Sequence, residues 1–183
     1  MMNNIPTFLT ISRFVFAIIT SSLLFSSSSY AVIIALVLFI LGSLSDALDG
    51  AVARRQKNQS KFGAFLDLIA DKFLVILVLI SLVYHRESNT LFLLTILIIS
   101  REIFIISLRE WMASSAKGKL LEVSSLGKIK TIIQMTGISL IIASPLIDLS
   151  YYYEFSMFVL IVGTVVGFYS AIKYFRESFL YIK

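Results

Sequence analysis

Six long apolar runs, beginning near Phe8, Ala31, Phe62, Leu91, Ile129 and Phe155, decide what this chain can fold into. Each is close to the roughly 20 residues a helix needs to cross a hydrocarbon layer. Their limits predict helices over about 8–25, 30–53, 62–84, 90–112, 126–143 and 152–175. The runs lack the period-two alternation of strands, and in lipid only helices or closed barrels satisfy every backbone group internally. With 58% hydrophobic and 15% charged residues in 183, there is too little polar surface to cover a soluble domain. Two prolines and eight glycines leave little room for long linkers. The expected architecture is an all-α integral membrane protein, a bundle of six transmembrane helices forming a single domain over 1–183.

The cations orient that bundle. Arg54, Arg55, Lys57 and Lys61 follow the second run; Lys117, Lys119, Lys128 and Lys130 flank the connection after the fourth; Lys173, Arg176 and Lys183 follow the sixth. The other three connections hold only Arg86. The positive-inside rule then places both termini in the cytoplasm, while Tyr84 and the tyrosines at 151–153 fit the opposite interface. A net charge of +5 placed this way marks topology and anionic lipid contact, not a nucleic-acid partner. Arg13 interrupts the first run and no cation precedes it, so a retained helix is expected there in place of a cleaved signal peptide. Cysteine is absent and His85 is the only histidine, which excludes thiolate chemistry and a histidine-built zinc site.

Four aspartates break the pattern. Asp46 and Asp49 lie near the end of the second run, Asp67 and Asp71 in the third. Acids in such places cost a few kcal/mol on insertion scales and need partners. At about 100° per residue, Asp46, Asp49, Gly50 and Ala53 share one helix face, and Gly63, Asp67 and Asp71 form an i, i+4, i+8 stripe on the next. A short connection makes the two helices antiparallel neighbours, so four carboxylates are expected to converge where Gly50 and Gly63 leave room. Salt bridges to Arg54, Lys72 or Arg101 are the structural alternative. Convergent carboxylates repel unless cations intervene, and a hard all-oxygen donor set favours Mg²⁺ or Mn²⁺. Two such ions commonly clamp phosphate oxygens during displacement.

Asp46-x2-Asp49-Gly50-x2-Ala53-Arg54-x8-Gly63-x3-Asp67-x3-Asp71 resembles the signature of the CDP-alcohol phosphotransferase family. Flanking blocks are similar to the bacterial members that use glycerol 3-phosphate as acceptor. These blocks are Asn4-Ile5-Pro6 with Leu9, Thr10 and Arg13; Arg101-Glu102; Leu108 through Ala113; and Gly127-Lys128-x-Lys130-Thr131-x2-Gln134-Met135. Those members often have Asn where this chain has Thr7 and Pro where it has Leu68, departures that remove neither a carboxylate nor a cation.

The resemblance implies transfer of a phosphatidyl group from CDP-diacylglycerol to sn-glycerol 3-phosphate, giving phosphatidylglycerophosphate and releasing CMP. It also implies two Mg²⁺ (or Mn²⁺) ions on Asp46, Asp49, Asp67 and Asp71, with Asp71 also the general base. Gly50, Ala53, Arg54, Ser60 and Gly63 are the implied CDP-diacylglycerol residues. Thr10, Arg13, Arg109, Lys128 and Lys130 are the implied acceptor residues. Arg109 lies within about 20° of Glu102 on its helix face, so an ion pair with Glu102 competes with that role. Arg101 is expected to form a structural bridge to an acid. A multi-pass protein of a bacterial inner membrane, a homodimer with its site facing the cytoplasm, completes what the likeness implies. Two alternatives stand beside it: a cardiolipin synthase of the same family, using phosphatidylglycerol as acceptor, and a divalent-cation transporter built on the intramembrane acids.

Overall fold

The computed structural model describes residues 5–26, 28–53, 61–114 and 125–182; the side chains of 5–9, 46–53, 61–64, 67 and 180–182 lie outside the description. Six α-helices are present among these residues: α1 Ile5–Leu23, α2 Ser29–Ala53, α3 Lys61–Arg86, α4 Asn89–Ser114, α5 Ser125–Ala143 and α6 Tyr152–Ile182. A 3₁₀ turn, Ser144–Leu146, follows α5. The helix limits match the apolar runs within a few residues, except that α6 continues seven residues past its expected end. Its last turns carry Lys173, Arg176 and Glu177, with Lys173 placed 3.9 Å from Glu177 in an exposed i,i+4 pair. Such polar spacing still suits a helix, although no longer a lipid-buried one.

Among the described residues, four helices are long and apolar enough to cross a membrane, over Leu68–Arg86, Asn89–Ser114, Leu126–Leu146 and Tyr152–Phe179. In the other two the described apolar stretches are shorter, Thr10–Leu23 and Ser29–Ser45. Helix α2 itself continues unbroken to Ala53.

The chain divides into two compact units, Met1–Glu87 with Ser139–Ser150, and Ser88–Ile138 with Tyr151–Lys183. In the first, α1 packs on both α2 and α3, and α2 meets α3 and the 3₁₀ turn. Ala17, Ala35 and Ala70 are wholly buried where these helices approach, with Phe39, Val78 and Leu79 filling the space between. Small residues at helix contacts are how apolar helices pack where lipid offers no hydrophobic incentive to associate. Phe14 meets Phe73 with ring centres 5.1 Å apart and planes tilted by 47°. Arg86 Nη2 donates to the Ile141 carbonyl (3.2 Å) and to Ser144 Oγ (2.6 Å), meeting the end of α5 with a cation where helix carbonyls run out of partners. Glu87, at φ 48°, then ends α3 in a left-handed turn, its N–H returning to the Val83 carbonyl at 3.1 Å.

In the second unit Ser88 Oγ accepts from the Leu91 N–H (3.3 Å) as the N-cap of α4. Helix α4 lies against α6, with Phe104 and Phe175 at 5.9 Å. Helices α5 and α6 approach backbone to backbone. A Cβ added at Gly137 would stand 2.9 Å from both Cα and N of Leu160, and one at Gly163 would stand 3.0 Å from the Gln134 nitrogen.

Each unit turns the soluble pattern inside out. Thr10, Arg13, Glu102, Lys130 and Gln134 are buried, while Ile18, Leu93, Phe158 and Val165 are more than half exposed. Tyr30, Tyr84 and Tyr151, near helix ends, are the most exposed aromatics among the described side chains, at 72–81%. Buried ions within an apolar exterior are what a lipid solvent selects.

Candidate functional site

The acidic site is built on the end of α2 and the beginning of α3. Because α2 is one continuous helix to Ala53, Asp46, Asp49, Gly50 and Ala53 occupy helical positions i, i+3, i+4 and i+7. Gly63, Asp67 and Asp71 occupy i, i+4 and i+8 of α3. The two helices are in contact. Arg54 and Ser60 lie outside the described residues, as do the side chains of Asp46, Asp49, Ala53 and Asp67. Among the described side chains no group of three or more acids or histidines comes together, and of the four aspartates only Asp71 is among them. Its Oδ2 accepts from Lys72 Nζ at 2.9 Å, both side chains three-quarters buried or more. One of the salt bridges weighed as a structural alternative is therefore present, and it orients the Asp71 carboxylate. The donor set itself, carboxylates on two touching helices without a sulfur or nitrogen ligand, fits a hard divalent cation such as Mg²⁺.

Arg13 braces the foot of α2. It has no exposed surface, and its Nε donates to Ser45 Oγ at 3.0 Å, while that hydroxyl donates to the Gly42 carbonyl at 2.8 Å. Thus α1 holds α2 one residue before Asp46. Thr10, one turn earlier on α1, is also buried. Ser45 was not singled out in the sequence, where a serine within an apolar run carries no mark of a buried arginine's partner.

The remaining acceptor candidates belong to the second unit. Lys128 is exposed and Arg109 partly buried, and neither has a hydrogen-bond or ion-pair partner among the described residues. Lys130 differs: 5% exposed, it bonds through Nζ to Glu102 Oε1, the same oxygen that accepts from Arg101 Nη1 at 2.8 Å. Arg101 Nε further donates to the Gly167 carbonyl at 3.3 Å. The expected bridge from Arg101 to an acid is thus found, whereas the Glu102 carboxylate pairs with Lys130 in place of Arg109. The reason is axial: Arg109 stands two turns, about 10.5 Å, along α4 from Glu102, whereas α5 delivers Lys130 at Glu102's own level. The legible signal was Gly163-x3-Gly167, whose missing side chains let α6 come close to α5; a Cβ at Gly167 would lie 3.1 Å from Lys130 Cγ.

An all-helical chain with membrane-length apolar helices, carrying paired acids on two contacting helices, has clear relatives. It belongs to the CDP-alcohol phosphatidyltransferase family, whose model matches residues 3–169. It is similar to proteins named CDP-diacylglycerol–glycerol-3-phosphate 3-phosphatidyltransferase. With that of Wigglesworthia glossinidia brevipalpis it is 40% identical over 176 residues, covering 94% of this chain and 93% of the relative. With that of Haemophilus influenzae it is 38% identical over 179 residues (96% and 93%). With that of Yersinia pestis it is 35% identical over 176 residues (96% and 94%).

Proposed function

We propose that this protein transfers the phosphatidyl group of CDP-diacylglycerol to sn-glycerol 3-phosphate, forming phosphatidylglycerophosphate and CMP. The observation that carries this reading is near-full-length similarity to relatives bearing that activity's name, combined with the complete acidic pattern on two contacting helices. The reaction runs at the inner face of a bacterial cell membrane, in one domain of six spans with both termini cytoplasmic. The one-sided distribution of Lys and Arg supports that orientation, and the family match across both compact units supports one domain.

The acceptor's primary hydroxyl attacks the phosphorus that bears diacylglycerol. A new P–O bond forms as the bond to the CMP oxygen breaks, and the hydroxyl proton passes to Asp71 as general base. Lys72 holds that carboxylate in place. Asp46, Asp49 and Asp67, with Asp71, would hold two divalent ions, which when bound supply charge stabilisation to the phosphate oxygens. Gly50, Ala53 and Gly63 leave space for the donor's cytidine diphosphate, and Arg54 and Ser60 contact it. The acceptor's phosphate falls to Arg109 and Lys128, whose charges no described residue meets. Thr10 and Arg13 remain candidates by resemblance, and Lys130 already has its charge met by Glu102.

The test is CMP release by purified protein given CDP-diacylglycerol with each acceptor separately. Release that needs glycerol 3-phosphate and a divalent cation, and stops with a chelator, supports the reading. Release with phosphatidylglycerol alone would make the protein a cardiolipin synthase. Divalent-ion flux in proteoliposomes, without CMP release, would make it a transporter.

A further inference from the structure

Helices α2 and α3 carry the four aspartates, yet α1 packs far more extensively on each of them than they pack on one another. The gap between the two acid pairs is therefore set chiefly by α1. Two adjacent residues of α1 make the grip. Arg13 Nε donates to Ser45 Oγ at 3.0 Å, one residue before Asp46 on α2. Phe14 meets Phe73, two residues after Asp71 on α3, with ring centres 5.1 Å apart. About a turn away, α1 and α3 both close on Gly42 of α2, where an added Cβ would stand 3.8 Å from Phe16 Cδ2 and 2.9 Å from Leu74 Cδ2. Three helices thus meet in one layer beside the acids.

The polar half of the grip is directional. Arg13 has no exposed surface, and a guanidinium held inside an apolar bundle needs acceptors. The single proton of Ser45 Oγ goes to the Gly42 carbonyl at 2.8 Å, which turns the lone pairs of that oxygen to Arg13. Such a bond fixes the height and rotation of α2 against α1, where apolar contact tolerates sliding. Rotating α2 by about 20° would carry a carboxylate oxygen about 6 Å from its axis through about 2 Å. A hard ion bound at about 2.0–2.1 Å in near-octahedral geometry accepts far less displacement.

We propose that Ser45 and Phe73 are positioning residues of the metal site. Held by Arg13 and Phe14 of α1, they fix the gap between the Asp46–Asp49 and Asp67–Asp71 pairs, and with it the affinity for divalent ions. Neither residue holds an ion or touches substrate. This rests on the metal assignment above.

The experiment measures Mn²⁺ binding to the purified full-length protein in phosphatidylcholine nanodiscs, by electron paramagnetic resonance of the free ion, without nucleotide or acceptor. Thermal unfolding in EDTA is measured beside it. Ser45→Ala is expected to weaken Mn²⁺ binding about tenfold, the lower end of the range for a residue that steadies metal ligands. Ser45→Thr keeps the hydroxyl and is expected to bind within about threefold of wild type. Phe73→Leu, which loosens α3 and leaves Arg13 bonded, is expected to weaken binding about threefold. Arg86→Met, at the far end of α3, is expected to melt earlier with Mn²⁺ affinity unchanged.

Wild-type Mn²⁺ affinity in Ser45→Ala, whatever its melting temperature, overturns the proposal. So does an equal loss in Ser45→Thr, which denies the hydroxyl a part, or a loss in Arg86→Met, which makes affinity a mere follower of stability. Should Ser45→Ala fail to fold, Phe73→Leu decides: weakened binding supports the grip, and wild-type affinity or failure to fold refutes it. A wild-type protein that binds no Mn²⁺ refutes the metal assignment and the proposal with it. The expected pattern in a protein without glycerol-3-phosphate-dependent CMP release refutes the proposed reaction and leaves the positioning role standing.

Discussion

Replacing glycine by alanine at two positions separates hard from soft contacts within these helices. A Cβ at Gly137 would stand 2.9 Å from Leu160 Cα, 2.9 Å from Leu160 N and 3.1 Å from Leu160 Cβ. A Cβ at Gly42 would also meet an atom at 2.9 Å, but that atom is Cδ2 of Leu74, the end of a rotatable side chain. Distance alone ranks the two sites equally; the identity of the neighbour does not. At Gly137 the opposing backbone cannot rotate away, so α5 and α6 must separate by several tenths of an ångström, an overpacking cost of about 1–3 kcal/mol. Alanine returns up to ~1 kcal/mol through helix propensity at either site. For Gly137→Ala the balance is a loss of about 1–2 kcal/mol. For Gly42→Ala, a displaced Leu74 rotamer costs about 0.5–1.5 kcal/mol, leaving a balance near zero. At this chain length each kcal/mol moves Tm by about 2–4 °C. Thermal unfolding in detergent should therefore place Gly137→Ala about 2–8 °C below wild type and Gly42→Ala within about 2 °C of it. Equal losses, or a larger one at Gly42, would refute the claim that backbone proximity and not free space governs the α5–α6 contact.

Three further outcomes are expected. Asp71→Asn should abolish CMP release while the protein still inserts and melts normally; unchanged turnover would remove Asp71 as the base. Lys128→Ala should raise the glycerol 3-phosphate KM with kcat little altered, as loss of a binding contact does, and a change confined to donor affinity would contradict its assignment. Arg86→Met leaves the end of α5 without its cation and should lower stability by about 1.5–3 kcal/mol, the value of a hydrogen bond to a charged group, seen as an earlier melt with the acceptor KM unchanged.

The helices were legible because lipid imposes a length and a polarity rule on every span, and apolar runs record both. Even α2, broken in composition at Asp46, continues as helix to Ala53 as the i, i+3 spacing of its acids requires. The acid pattern was legible for the same reason, since a carboxylate within an apolar segment stands out. The partners that cations find far along the chain were not. Arg13 and Ser45 are 32 residues apart, Lys130 and Glu102 are 28, and Arg86 and Ser144 are 58. Helical periodicity gives the face on which a residue stands but not the height at which a second helix meets it. Glu102 could take Arg109 by rotation about α4, yet the translation of α5, set by Gly137 and Gly163, decides for Lys130.

That distinction sorts the described intramembrane cations by whether the fold supplies them an acceptor. A cation within an apolar bundle is tolerable only if something meets its charge. Arg13 has Ser45, Arg86 has the end of α5, and Arg101 and Lys130 have Glu102, each with an acceptor supplied by the fold. These four hold helices to one another, and a substrate could recruit one only by displacing a bond already formed. Arg109 and Lys128 have no such acceptor among the described residues, and they flank the connection between α4 and α5, at the face where the topology rule places the cytoplasm. On the function proposed above, an incoming phosphate monoester gains most from those described cations that no described acceptor meets. Buried pairing, and not the number of basic residues, is the ground on which the acceptor's charge was proposed to fall to that pair.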